Sequence, residues 1–292
     1  MRSGRDLIAA LPLFGPALLL LLGLVFLPAL AVFVIALTDW QFGKNAFSFV
    51  GWANFRSVFA DAGFRASLIN TLVYALIVVP GAVVLGFAIA LLIEADRSLR
   101  AFYRAVHFLP FMATLAATAV AWEALLHPTV GLIHQILAAL GLPTANWLRD
   151  EKTALPVLAL IGVWQNLGYA MVLFQAGLKA VPRELYDAAD IDGADSWIDR
   201  LRIVTLPILG PVTLFVGIVI ALRAFETFDT VQMLTRGGPG HASELLLFTF
   251  YRESFEYLHT GYGAATAVVF LGIVATIALI QMKLLDKKVH YK

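Results

Sequence analysis

Two groups of polar side chains stand inside stretches that are otherwise apolar. Trp164, Gln165, Asn166 and Tyr169 fall in one, and Arg223, Glu226 and Asp229 close another. A polar group surrounded by hydrocarbon is costly, and it persists where it faces a cavity, a partner or a solute path. The chemistry open to these residues is recognition. Amides and a phenol exchange hydrogen bonds with hydroxyls, and aromatic faces cover apolar or cationic surface. The planar guanidinium of Arg223 matches an oxyanion such as phosphate, sulfonate or carboxylate. Arg223 has two further readings: an internal pair with Glu226 at i,i+3, or a stem that carries its charge to the outer interface. Bond-making chemistry has little to work with. The chain holds no cysteine, which removes disulfides, thiol nucleophiles and cysteine metal ligands. Its six histidines (107, 127, 134, 241, 259 and 290) show no HxxxH or HExxH spacing, so no metal site is expected.

The elements that carry these residues are legible in composition. Of the 292 residues, 60% are hydrophobic and only 14% charged, with a mean hydropathy of +0.83. A soluble domain carries about 25% charge, so much of this surface must face lipid. Crossing the hydrocarbon core takes roughly 20 apolar residues. Runs of that kind lie at 11–37, 68–93, 106–126, 154–178, 207–228 and 261–285. The expected fold is all-α: one polytopic helical bundle of about six transmembrane helices, with no ten-residue alternation of the β-barrel kind. The first run follows Arg2 and Arg5 and contains Ala29-Leu30-Ala31. It is too long for a signal sequence and reads as a retained helix.

Lysine and arginine placement orients the bundle. With the N-terminus inside, 13 of the 21 basic residues fall in cytoplasmic segments, seven fall outside and Arg223 lies within a span. That bias puts both termini in the cytoplasm. The near-balance of 21 basic against 20 acidic residues gives no electrostatic case for a nucleic-acid partner. Trp40, Trp52 and Trp147 in the exterior loops suit an aromatic belt or a surface for an external partner.

The loop 179–206 is the most informative. Pro182 suits a first helical turn, and Glu184 and Asp187 place negative charge at that positive end. A short helix, a turn at Gly193 and a second helix running into Pro207 are expected. A helix this short needs a partner surface. Ala188, Ala189, Gly193 and Ala194 leave room for another backbone, and Tyr186, Ile191 and Trp197 offer apolar anchors. Five aspartates (187, 190, 192, 195 and 199) disfavour lying on anionic lipid. Docking into a soluble protein is favoured over a solvated loop.

At this loop the chain resembles the permease subunits of bacterial ATP-binding-cassette sugar importers of the maltose and glycerol-phosphate type. Their motif runs Glu-Ala-Ala, two residues, Asp-Gly-Ala, then Leu-Pro. Asp187-Ala188-Ala189, Asp192-Gly193-Ala194 and Leu206-Pro207 correspond to it. Asn70-Thr71-Leu72, Tyr103-Arg104, Phe108-Leu109-Pro110, Gly131-Leu132-Ile133, Thr235 through Pro239 and Gly261-Tyr262-Gly263 follow in the family's order. Four departures stand out: Asp187 replaces Glu, His134 replaces Asn, the interval from Ala194 to Leu206-Pro207 is about one residue longer than usual, and Arg200 or Leu201 falls where an aromatic is common.

The resemblance implies a type I importer permease in the bacterial inner membrane. The loop would be the coupling helix, held by a cytoplasmic ATPase subunit through Tyr186, Asp187, Ala188, Ala189, Asp192, Gly193, Ala194, Leu206 and Pro207. The polar groups on the fourth and fifth spans would line a sugar cavity. The partners implied are a second homologous permease, two ATPase subunits and an extracytoplasmic solute-binding protein. The chain has no GxxxxGK[ST] phosphate loop, so ATP and magnesium are expected on the ATPase and no cofactor on this chain. The competing readings are an ion-coupled secondary transporter, for which no convincing internal repeat is visible, and a membrane enzyme, for which no catalytic constellation is visible.

Overall fold

A computed structural model describes residues 4–44, 46–95 and 99–288. Among them the chain forms fifteen α-helices. They are α1 (Gly4–Leu21), α2 (Leu27–Ala36), α3 (Ala53–Ala60), α4 (Ala62–Ala95), α5 (Arg100–Met112), α6 (Leu115–Leu125), α7 (Leu132–Ala139) and α8 (Ala154–Lys179). Then follow α9 (Arg183–Ile191), α10 (Trp197–Arg200), α11 (Leu206–Ile208), α12 (Gly210–Phe225), α13 (Asp229–Leu234), α14 (Leu246–Tyr251) and α15 (Thr260–Lys288). Single π turns join α1 to α2, α10 to α11, and extend α14. The bridge Thr38–Phe49 is antiparallel and isolated.

Four stretches are long and apolar enough to cross a membrane: Phe14–Ala36, Ala62–Ala95, Ala154–Lys179 and Thr260–Ile280. Two bent pairs, α5 with α6 and α10–α11 with α12, raise the number to six if each pair is one span. The apolar run 106–126 is therefore two helices and not one. Pro110 sits in the last turn of α5, and Ala113 and Thr114 are extended. Thr114 Oγ1 then accepts from Ala117 N at 3.4 Å, a side-chain cap that restarts the helix. The run 207–228 is also divided. It bends by 67° between Ile208 and Gly210, and α12 stops at Phe225, so Asp229 opens a separate helix.

The chain divides into two compact units. The first takes the described residues up to Phe64 together with Thr249–Gly272. Its α1–α2 rod buries no part of its most apolar stretch against the chain. Leu19 and Leu24, each 72% exposed, need lipid or another subunit. Asn54 Nδ2 donates to the carbonyls of Ala36 and Thr38, both at 2.8 Å, and ties the end of α2 to α3. A Cβ at Gly261 would lie 2.7 Å from the Thr38 carbonyl, so the glycine that opens α15 permits a backbone contact.

The second unit holds Arg65–Phe248 and the described residues from Ile273. Here α8 is the hub, half its residues buried, with α5 and α12 packed on it and α6 on α13. Small residues set these distances. A Cβ on Gly168 would fall 1.9 Å from the His107 carbonyl of α5, and one on Gly86 of α4 would meet Ala170 Cβ at 2.5 Å. Asn70 Nδ2 donates to the carbonyls of His241 (2.9 Å) and Glu244 (3.1 Å). Thr71 Oγ1 accepts from Leu246 N at 2.9 Å. The Thr235–Pro239 turn is pinned by Ser243 Oγ donating to Thr235 Oγ1 at 2.8 Å.

Candidate functional site

A cavity of about 420 Å³ opens in the second unit where α4, α5, α8, α12 and α13 meet. Its floor and walls follow from the helix ends described above. Gln165 and Asn166 come from α8, and Arg223 from the last turn of α12. Glu226 caps α12, Thr227 and Phe228 form the link, and Asp229 and Thr230 begin α13. Because α5 ends where it does, Phe111, Ala113 and Thr114 also face the opening. Tyr74 of α4 completes the lining, with Thr227 Oγ1 donating to its hydroxyl at 3.4 Å.

Arg223 is held in one orientation by two kinds of contact. Its Nε–H donates to Asn166 Oδ1 at 3.0 Å. Asn166 is itself fixed, since its Nδ2 donates to the Gly162 carbonyl one turn back at 2.8 Å, which leaves Oδ1 for the arginine. The guanidinium lies 4.6 Å from the Phe111 ring centroid and 5.8 Å from that of Tyr169, within cation–π range. Those two rings stack on each other at 4.8 Å and 19°. The expected pair with Glu226 is not formed: among the described residues no carboxylate oxygen lies within ion-pair distance of Arg223. Glu226 is the C-cap of α12, its N–H still donating to the Leu222 carbonyl at 3.0 Å, and the Arg223 side chain turns instead toward Asn166 and Phe111.

The structure thus brings Gln165, Asn166, Arg223, Glu226 and Asp229 to one opening. Tyr169 reaches it only through its faces toward Phe111 and Arg223. Trp164 does not line it. Its ring packs edge-on against Trp122 at 5.4 Å and 85°, because one residue along a helix turns the side chain about 100° away from Gln165. Tyr74, Phe111, Thr114, Thr227 and Thr230 are lining residues that the sequence reading did not single out. The Thr114 cap after Pro110 was the available signal for two of them.

The loop 179–206 forms a second site. Helix α9 ends at Ile191 with Asp192 as its C-cap, and Gly193 turns the chain at φ +90°, a value that favours glycine. Gly193 N donates to the Asp190 carbonyl (3.2 Å) and Ala194 N to the Ala189 carbonyl (2.9 Å), which closes the helix end. Arg200 Nε pairs with Asp190 Oδ1 at 2.8 Å and lies 3.5 Å from the Ala194 carbonyl. Tyr186 is half-buried, its hydroxyl 3.0 Å from Thr205 Oγ1. Ala189 and Ala194 are buried within the chain's own packing, so they do not leave room for another backbone as expected. Asp187, Ala188, Asp192, Gly193, Leu206 and Pro207 are exposed. The outward apolar groups are Ile191, 87% exposed, and Trp197, 72% exposed. The turn Leu201–Thr205 is π-helical. A π turn holds one residue more than an α turn, which would accommodate the extra residue expected from the family resemblance between Ala194 and Leu206.

Comparison with known proteins agrees with this architecture. Residues 62–291 match the family described as binding-protein-dependent transport system inner membrane component. A probable ABC transporter permease protein of Pyrococcus horikoshii is 32% identical over 96% of both chains. The sn-glycerol-3-phosphate transport system permease protein UgpA of Agrobacterium fabrum is 32% identical over 96% of this chain and 95% of its own. The sulfoquinovosyl glycerol transport system permease protein SmoG of the same organism is 31% identical over 98% and 92%. Among solved structures, a chain of a bacterial alginate ABC transporter in complex with an alginate-bound periplasmic protein superposes with a TM-score of 0.81, at 18% identity and 96% coverage of both. The family match over residues 62–291 and the identity to these permeases over nearly the whole chain lead to one conclusion: the chain is a member of the binding-protein-dependent ABC transporter permeases, a multi-pass inner-membrane transport component and not an ATPase.

Proposed function

We propose that this chain forms half of the translocation path of an ATP-driven importer for a polyhydroxylated solute: a sugar, a polyol or a glycerol derivative. The observation that carries this reading is the lining of the cavity. Hydroxyls of Tyr74, Thr114, Thr227 and Thr230, amides of Gln165 and Asn166, and carboxylates of Glu226 and Asp229 surround an aromatic face at Phe111. Such a set exchanges many hydrogen bonds with a solute rich in hydroxyls while the ring covers its C–H face. The relatives named for glycerol 3-phosphate and sulfoquinovosyl glycerol support the same solute class.

With both termini in the cytoplasm, as the basic residues indicate, loop 179–206 projects inward. Ile191 and Trp197, exposed on either side of the Gly193 turn, are the anchors for an ATPase subunit. Asp187, Ala188, Asp192, Gly193, Leu206 and Pro207 form the surrounding face. Tyr186, Ala189 and Ala194 hold its shape from within. A second permease, a pair of ATPase subunits and an extracytoplasmic binding protein complete the assembly. Nucleotide-driven closure of the ATPases moves the loop, and through α10–α12 it reaches Arg223 and the cavity.

Uptake by cells producing the whole system tests this reading. Transport should stop when ATP is depleted while the ion gradient is maintained. Continued uptake under that condition would overturn the proposal in favour of ion coupling.

A further inference from the structure

Arg223 has an arrangement that a merely structural arginine does not need. A guanidinium carries N–H donors on each of its nitrogens. Only the Nε–H is committed, to Asn166, and one π face is covered by Phe111. Among the described residues neither terminal nitrogen is given a protein acceptor, and no carboxylate neutralises the charge. Two acidic residues, Glu226 and Asp229, line the same cavity and still do not pair with it. The side chain is therefore immobilised, positively charged and open at its forked end. That is the condition in which an arginine accepts an oxyanion through two parallel hydrogen bonds.

We infer that Arg223 is an anion subsite within the cavity, and that the solute carries a phosphate, sulfonate or carboxylate group beside its hydroxyls. This rests on the reading of the cavity as a solute path. Asn166 and Phe111 are positioning residues: they spend the Nε–H and one face, so that the terminal edge alone is presented. Glu226 and Asp229 accept from hydroxyls and repel a small inorganic anion. The cavity thereby favours an anion that brings hydroxyls with it over a bare one.

The absence of cysteine from this chain allows a test, with labelling read on this chain alone, that does not require the solute to be known. In the whole transporter, Ala113→Cys, on the cavity wall, is labelled with an ethylsulfonate and with a trimethylammonium-ethyl methanethiosulfonate. Adding Arg223→Gln should lower the ratio of anionic to cationic labelling rates by about tenfold or more, from loss of one nearby positive charge. Arg223→Lys should retain most of the ratio. A ratio unchanged by Arg223→Gln overturns the subsite.

Uptake of matched pairs separates this from the reading beneath it. Glycerol is compared with sn-glycerol 3-phosphate, and glucose with glucuronate. Uptake of an anionic member that Arg223→Gln abolishes supports the subsite. Equal uptake of a neutral member, unaffected by Arg223→Gln, overturns the anion assignment and leaves the polyol path intact. Failure of every pair, with the labelling ratio still lowered by Arg223→Gln, counts against the polyol path and leaves the anion site standing.

Discussion

The Tyr186 hydroxyl lies 3.0 Å from Thr205 Oγ1, and this contact joins the first helix of loop 179–206 to the π turn that leads through α11 and the bend after Ile208 into α12. Thr205 is buried, and its Oγ1 also donates to the Arg200 carbonyl at 3.3 Å. A displacement of α9 therefore reaches the base of α12 without crossing solvent. At the other end of α12 stands Arg223.

If that contact transmits motion, Tyr186→Phe and Thr205→Val should be non-additive. Each single change removes one partner of a part-buried hydrogen bond and should cost about 0.5–1.5 kcal/mol. The double variant should cost little more than one of them. Thermal unfolding of the purified chain in detergent measures the stability cycle, and ATP consumed per solute moved measures coupling. Strict additivity in both readouts would show that the two side chains act independently.

Ile191 and Trp197 make the opposite kind of prediction. Both are exposed in this chain, so Ile191→Glu and Trp197→Glu should change its stability by less than about 0.5 kcal/mol. Desolvating a carboxylate in an apolar pocket of a partner is costly, and ATPase recruitment should fall by about tenfold or more. Co-purification of the ATPase subunit with each variant reads this directly. Retention at the wild-type level would remove both residues from the interface.

How far the sequence could carry these conclusions depended on the kind of signal. Asn166 and Arg223 were visible because they are polar residues in apolar surroundings, and no periodicity was needed to find them. Phe111 and Tyr74 were not, because an aromatic in an apolar run looks the same whether it faces lipid, core or cavity. The break at Ala113–Thr114 was hidden for a related reason. The run is apolar enough to read as one span, and only Pro110 and the Thr114 side chain, acting as a cap, distinguish two helices from one. In the loop, composition placed Ala189 and Ala194 beside Gly193 as small residues. Which of them faced outward depended on how the first loop helix packs on the π turn at Leu201–Thr205, and that packing is tertiary.

Outside the spans, Asp39 offers a pH-dependent prediction. Ser48 Oγ and Ser48 N donate to its two carboxylate oxygens, both at 2.6 Å. These bonds favour the charged form and hold the Asp39 pKa below its ordinary 3.8, the hydroxyl contributing most. A depressed folded-state pKa means that the turn 39–48 gains stability above the unfolded value, and loses it as pH falls through the folded one. Ser48→Ala should move the Asp39 titration back up toward 3.8, observable by carboxyl-carbon NMR of selectively labelled protein. It should also make the turn's amide protection fade at a higher pH. A midpoint unmoved by Ser48→Ala would assign the shift to another group.

Gly168 and Gly217 separate close packing from helix propensity. Both lie inside long apolar helices, so composition treats them alike. At Gly168 an added Cβ would sit 1.9 Å from the backbone carbonyl of His107, an overlap that no side-chain rotamer can relieve. At Gly217 nothing lies within 4 Å. Gly168→Ala must therefore push α5 away from α8, and overpacking of this kind costs about 1–3 kcal/mol, occasionally more. It also moves Phe111 relative to Tyr169 and Arg223, so solute transport should fall further than stability alone explains. Gly217→Ala should be neutral in both, or slightly stabilising by about 0.5–1 kcal/mol from the lost freedom of glycine. Thermal unfolding and uptake of the two variants side by side decide the matter, and equal tolerance at both positions would mean that α5 and α8 are not packed at the distance described.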